Sequence, residues 1–169
     1  MRHVFLGVLL LSPPLAAQDA APPQGLARLD ALVGKWRGVS SGEPGDGAVE
    51  RECARVLAGR FLECRTTVTY PPQEKDKKGE VHVDVAYFSY DRSATVLRLR
   101  QFHGEGFVNT YRETEPLVFV TDAIENIPAG WRAREQYELD GDAWRETFSL
   151  AQPGKEFEVY SRASLMRVK

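Results

Sequence analysis

Two carboxylates, Glu135 and Glu146, are placed where they could do chemistry. In the segment 131–139, Trp131, Ala133, Glu135, Tyr137 and Leu139 alternate with Arg132, Arg134, Gln136 and Glu138. In the next segment, Trp144, Glu146, Phe148 and Leu150 alternate with Arg145, Thr147 and Ser149. Successive side chains of a strand point to opposite faces, and a uniformly polar face belongs in solvent. Both glutamates therefore turn inward with the rings. A carboxylate pair of this kind can run the acid–base chemistry of glycoside hydrolysis, or it can orient the polar end of a bound molecule. A buried charge left alone costs several kcal/mol, so these groups need partners. The middle of the chain offers them. Leu97, Leu99 and Gln101 alternate with Arg98, Arg100 and Phe102, and Phe107, Asn109 and Tyr111 share a face of the following segment. The parity of the arginine strand can be read either way, because a one-residue slip moves every side chain to the other face.

Other catalytic chemistries find no support. The chain has no Gly-x-Ser-x-Gly elbow, no His-Glu-x-x-His zinc motif and no phosphate-cradling glycine loop followed by Lys-Ser/Thr. The stretch from Gly42 to Gly47 is acidic and would repel phosphate. His103 lies beside Gly104 and Gly106, where a backbone can approach a ligand, and an imidazole there could ligate haem iron. The plainer alternative is an ordinary turn histidine. Two cysteines with no histidine nearby are too few ligands for zinc. Neither a metal site nor a required cofactor is expected. The formal net charge is -2 and no basic stripe is present, which argues against a nucleic-acid partner.

The elements that would hold these residues follow from the rest of the pattern. Met1-Arg2-His3 is a short positive stretch, Val4–Leu11 is apolar, and Leu15-Ala16-Ala17 supplies small residues. Residues 1–17 are expected to be a secretory signal peptide, too short to span a bilayer, which takes about 20 residues. Residues 18–25 form a Pro/Ala-rich lead-in that cannot build a core. Residues 26–169 are expected to form one domain, exported to the periplasm or beyond, with no membrane span after cleavage. Leu26, Leu29, Leu32 and Val33 recur at helical spacing, which predicts a short amphipathic helix over 25–33 that caps one end of the sheet.

After that helix the period becomes two. Ten strands are predicted near 36–41, 48–57, 60–70, 81–90, 94–102, 106–113, 116–122, 130–139, 142–150 and 155–168. Asp140-Gly141 and Pro153-Gly154 mark tight turns. Pro71–Glu80 reads as a charged, solvated loop, its lysines the only hint of an anion site. The segment 122–131 is open between a helical turn and an extended edge. In the last strand Phe157, Val159 and Ser161 are assigned inward. With no helical crossovers the sheet must be antiparallel, and closing it into an up-and-down barrel removes its exposed edges. A hairpin turning at Ala58-Gly59 sets Cys53 opposite Cys64, within disulfide reach. An even cysteine count in an exported chain favours that bond.

The stretch Gly34-Lys35-Trp36-Arg37-Gly38, the strand meander and the hairpin Gly59-Arg60-Phe61-Leu62 resemble the calycin group of lipocalins, fatty-acid-binding proteins and nitrobindin-like barrels. With the Tyr90-Asp91 turn, the chain is most similar to secreted lipocalin-like proteins of bacteria, over Leu26 to Lys169. The resemblance implies a barrel that holds a small molecule. Nitrobindins bind haem through a histidine late in the chain; none follows His103 here, so that role is not carried over. Fatty-acid-binding proteins hold a carboxylate with interior Arg and Tyr. Tyr160 and Arg162 are loosely similar, although alternation puts them outside.

The expectation is a container rather than a catalyst, taking a small apolar or amphipathic molecule. Trp36, Trp131, Tyr137, Trp144 and Phe148 would line the interior; Glu135, Glu146, Arg100, Asn109 and Tyr111 would orient the ligand. A haem-binding barrel, an envelope enzyme using the carboxylate pair and a filled-core module docking a partner protein remain alternatives.

Overall fold

The computed structural model describes residues 24–74 and 76–169. The expected leader, and the lead-in up to residue 23, lie outside the described residues. Ten strands follow one another: β1 (Gly34–Gly42), β2 (Gly47–Val56), β3 (Phe61–Tyr70), β4 (Glu80–Asp91), β5 (Val96–His103), β6 (Val108–Glu115), β7 (Val118–Glu125), β8 (Arg132–Asp140), β9 (Ala143–Ala151) and β10 (Glu158–Arg167). Each pairs antiparallel with its sequence neighbours, and β1 pairs with β10, so the sheet closes into an up-and-down barrel. The segment 122–131 resolves as the extended end of β7 followed by a turn, with no helix.

Closure depends on Gly38. It pairs with Leu165 across the β1–β10 seam. A Cβ at this position would lie 1.9 Å from the Ser164 carbonyl oxygen and 2.8 Å from the Leu165 Cα. The two backbones meet where a side chain would otherwise stand.

The capping segment forms as two short pieces, α1 (Gln24–Ala27) and a single 3-10 turn (Asp30–Leu32). Leu29 N–H donates to the Leu26 carbonyl and Leu32 N–H to that of Leu29. Leucines spaced by three suit this tighter winding, which stacks i and i+3 on one side. Leu26, Leu29 and Leu32 are all fully buried. Two arginines bind further carbonyl oxygens of this segment. Arg167 donates to Val33 O and Ala31 O, each at 2.6 Å, and Arg55 to Leu26 O at 2.6 Å. Trp36 sits on this plug. Its Nε1–H donates to Leu32 O at 2.9 Å, and Arg167 lies 4.2 Å over its ring.

Above the plug the barrel is filled. Trp36, Trp144, Tyr137, Phe88 and Phe119 form a chain of edge-on and tilted ring contacts with centroids 5.4 to 5.7 Å apart. Leu62, Leu97, Leu99 and Leu165 close the gaps between them. Such ring pairs add about 1 kcal/mol each beyond simple burial.

Cys53 and Cys64 face each other in the β2–β3 register and form a disulfide, with Cα atoms 4.1 Å apart. The sequence separation is 11, for which chain-entropy arguments give about 3 kcal/mol of stabilisation. The Cys53→Ala/Cys64→Ala variant is expected to lose about that much in urea unfolding. Reductant should then have no further effect on its transition.

Two inward assignments need correction. Phe157 lies outside, with Arg132 and Arg134 at 4.9 and 4.8 Å over its ring. Val159 is 42 % exposed. A bulge between Val159 and Ser161 shifts the register of β10, so alternation counted from the start of the strand fails. The same bulge brings Tyr160 to the barrel mouth, where the sequence places it outside.

Candidate functional site

The end of the barrel opposite the plug is open. A cavity of about 330 Å³ lies there, at the lower end of the size range of small-molecule sites. Its outer part is bordered by Tyr70, Phe107, Phe148 and Tyr160, and its inner part by Arg51, Thr66, Asp84, Gln101, Glu135 and Glu146. The two loops beside the mouth are tied together. The Gln73 side chain accepts from Asp46 N–H at 2.8 Å and donates to Asp46 O at 3.0 Å.

Arg51, on β2, is the centre of the inner part. Its Nη1 donates to Glu146 Oε2 at 2.6 Å, its Nε to Thr66 Oγ1 at 3.0 Å, and its guanidinium lies 4.5 Å over Trp144. Burial opposes its charge, but the attraction of Glu146 and its hydrogen bond more than offset that, and the arginine stays protonated. The other two carboxylates lack such a partner. Burial, then repulsion by Glu146, pushes the Glu135 carboxyl well above the usual range and favours its neutral form. Burial likewise raises Asp84, partly countered by Arg51.

A polar chain leads inward from the cavity wall. Asn109 Nδ2 donates to Tyr111 OH at 2.8 Å, Tyr111 OH to Gln101 Oε1 at 3.2 Å, and Gln101 Nε2 to Asp84 Oδ1 at 3.3 Å. Asn109 Nδ2 also approaches His103 Nε2 at 3.3 Å. His103 stacks on Phe107 with ring centroids 4.0 Å apart. Burial and the neighbouring His82 lower its pKa to about 4, so its ring is neutral. Asn109 Oδ1, Glu135 Oε2 and His103 Nδ1 are buried without a hydrogen-bond partner among the described residues. Each belongs to a residue that lines the cavity or to the chain leading inward from it.

The sequence-derived candidates separate into layers. Glu135, Glu146 and Phe148 line the cavity. Asn109 and Tyr111 belong to the polar chain leading inward from it. Trp36, Tyr137 and Trp144 pack into the floor instead of bordering open space. Arg100 is on the outer face: its side chain is 50 % exposed and pairs with Glu125 at 3.1 Å. Arg98 is outside too, bound to Asp122, because Leu97, Leu99 and Gln101 take the inner positions of β5. Trp131 stands just before β8, half-buried, beside Leu150 and the 152–160 segment rather than at the main cavity. Arg51 was missed. The alternation Val49, Arg51, Cys53 on β2 carries the signal, since an arginine in register with buried neighbours faces inward.

The pH dependence of folding reports on Glu135. A carboxyl whose folded pKa is raised binds its proton more tightly in the native state, so stability falls as pH rises above its unfolded value near 4.3 and keeps falling up to the folded pKa. The groups that face it are Glu146 on β9, Arg51 on β2, Asp84 on β4, Tyr111 on β6 and Tyr137 on its own strand. The Glu135→Gln variant keeps the shape without the proton. It is expected to be more stable than wild type once pH rises above that unfolded value, and to lack the wild type's fall in stability with pH, which is at most about 1.4 kcal/mol per pH unit. Urea midpoints measured from pH 5 to 8 would show this.

No family model and no curated protein matches the sequence. Solved structures do match. The crystal structure of Rv2717c from M. tuberculosis aligns with a TM-score of 0.65 at 18% identity, covering 88% of this chain and 100% of that one. The S-type phycobiliprotein lyase CPES from Guillardia theta aligns more loosely, with a TM-score of 0.48 at 15% identity over 83% of this chain and 90% of that one. At 18% identity the likeness to the first of these is one of fold, and it agrees with the closed up-and-down barrel described above.

Proposed function

We propose that this protein is a small-molecule-binding barrel whose ligand is amphipathic and carries a basic or hydrogen-bond-donating head. The observation that supports this most directly is the cluster of partnerless buried polar atoms around a cavity of about 330 Å³. Such atoms cost about 1–3 kcal/mol each unless something meets them. The aromatic floor is packed shut, so the apolar part of the ligand belongs at the mouth, against Tyr70, Phe107, Phe148 and Tyr160. The head enters among Glu135, Asp84 and Glu146. Arg51 is already neutralised by Glu146 and is poorly placed to recruit an anion. The Cys53–Cys64 disulfide supports an oxidising, exported location.

Calorimetric titration with octylamine and with octanoate tests the polarity. The amine is expected to bind at least about tenfold more tightly, which is 1.4 kcal/mol. It should release a proton as Glu135 ionises against it, visible as a binding heat that changes with the ionisation enthalpy of the buffer. Glu135→Gln should erase most of the preference and the proton release. A preference for octanoate, or no saturable binding of either, would overturn the reading.

A further inference from the structure

At the cavity mouth a second group of side chains is brought together by register alone. Asp84 on β4 pairs with His103 on β5, and Gly104 N–H donates to Val83 O at 2.8 Å, extending the ladder into the turn. His82 is therefore set against Glu105, and His82 Nδ1 meets Glu105 Oε1 at 2.6 Å. The residues His82, Asp84, His103 and Glu105 occupy four corners of one patch on the inner face, and all four line the cavity. His82, His103 and Glu105 each offer a ligating atom, and these atoms lie within 4.8 Å of one another.

We infer that His82, His103 and Glu105 form a binding site for one divalent transition-metal ion. Zinc bonds to imidazole nitrogen and carboxylate oxygen at about 2.0–2.2 Å, so its ligand atoms stand at most roughly 4 Å apart. The observed spacing, within 4.8 Å, is close to that. Two imidazoles and one carboxylate suit zinc, iron, nickel or copper, whereas magnesium and calcium take oxygen ligands. Three protein ligands leave coordination positions open, and here they face the cavity. His103 is held for the task. Asn109 meets the ring at Nε2, 3.3 Å away, and Nδ1 is buried without a hydrogen-bond partner. The sequence shows none of this, because His82 and His103 belong to different strands and neither lies in a metal motif.

The tag-free full chain, titrated with Zn²⁺ by calorimetry and with Co²⁺ by visible absorption, tests the site with no organic ligand present. One equivalent of each is expected to bind, with ligand-field bands for Co²⁺ that Zn²⁺ abolishes. Mg²⁺ should not compete. His82→Ala/His103→Ala should weaken binding more than the roughly 100-fold upper end for outer-shell changes, and Asn109→Ala should fall within that 10- to 100-fold range. His3→Ala should change nothing. Thermal melts without metal establish folding. If the double variant fails to fold, Glu105→Gln, on the exposed turn, supplies the same comparison. No saturable binding, or binding unchanged in the folded variant, overturns the site. Because the metal is titrated alone, the octylamine result neither supports nor sinks it.

Discussion

Gly38→Ala is expected to lower stability by about 4 kcal/mol or more, a loss confined to a few severe mechanisms. The backbone of this glycine is not in the left-handed region; the difficulty is space. An added Cβ would stand 1.9 Å from a carbonyl oxygen of β10, and backbone has no rotamer by which to yield. The seam must open for the methyl group to fit, and opening breaks ladder hydrogen bonds on both strands. Gly141→Ala is the reference. It has φ of +57° with nothing near the new carbon, so its cost is the backbone penalty alone, about 1–2 kcal/mol. Urea unfolding followed by circular dichroism compares the two. Equal losses would mean that β1 and β10 do not meet as described.

Glu146→Leu is expected to cost about 3–5 kcal/mol by leaving the Arg51 guanidinium buried without its counter-charge. The side chains of Arg51 and Glu146 are only 8 % and 15 % exposed, which separates this pair from surface ion pairs worth 1 kcal/mol or less. The double variant Arg51→Met/Glu146→Leu should recover most of the loss, since apolar replacement of a buried pair is often neutral or better. A second effect follows in Glu146→Leu. The repulsion that helps keep Glu135 neutral disappears, while Arg51 gains a free carboxyl neighbour. The Glu135 pKa should fall, and the decline of stability with rising pH should flatten. A double-mutant cycle in which the two substitutions simply add would refute the pairing.

The sequence was most legible where the relevant forces are local. Alternation with period two needs only the next residue but one, and it placed Glu135, Tyr137, Trp144, Glu146 and Phe148 on the inner face. Turn chemistry is equally short-ranged, so the β2–β3 hairpin register, and with it the Cys53–Cys64 bond, followed from Ala58-Gly59. It failed where a single irregularity resets the count. The bulge at Val159/Ser161 sent Phe157 out and Tyr160 in, and nothing in the composition of β10 announces it. The arginines of β5 show the related difficulty: parity is a one-residue question, and both answers looked acceptable until Leu97 and Leu99 took the core.

From the chain of residues alone came the class of architecture, the helical plug and the inner identity of β8 and β9, because each rests on neighbours a few positions apart. Which inner residues border empty space required the closed barrel. The indoles and phenyl rings attract one another and consume the floor, so the open volume falls to the polar residues above them. Arg51 against Glu146, and His82 against His103 and Glu105, are likewise products of registers between strands. Those registers are set by packing around the whole circumference, a cooperative choice that no local stretch encodes.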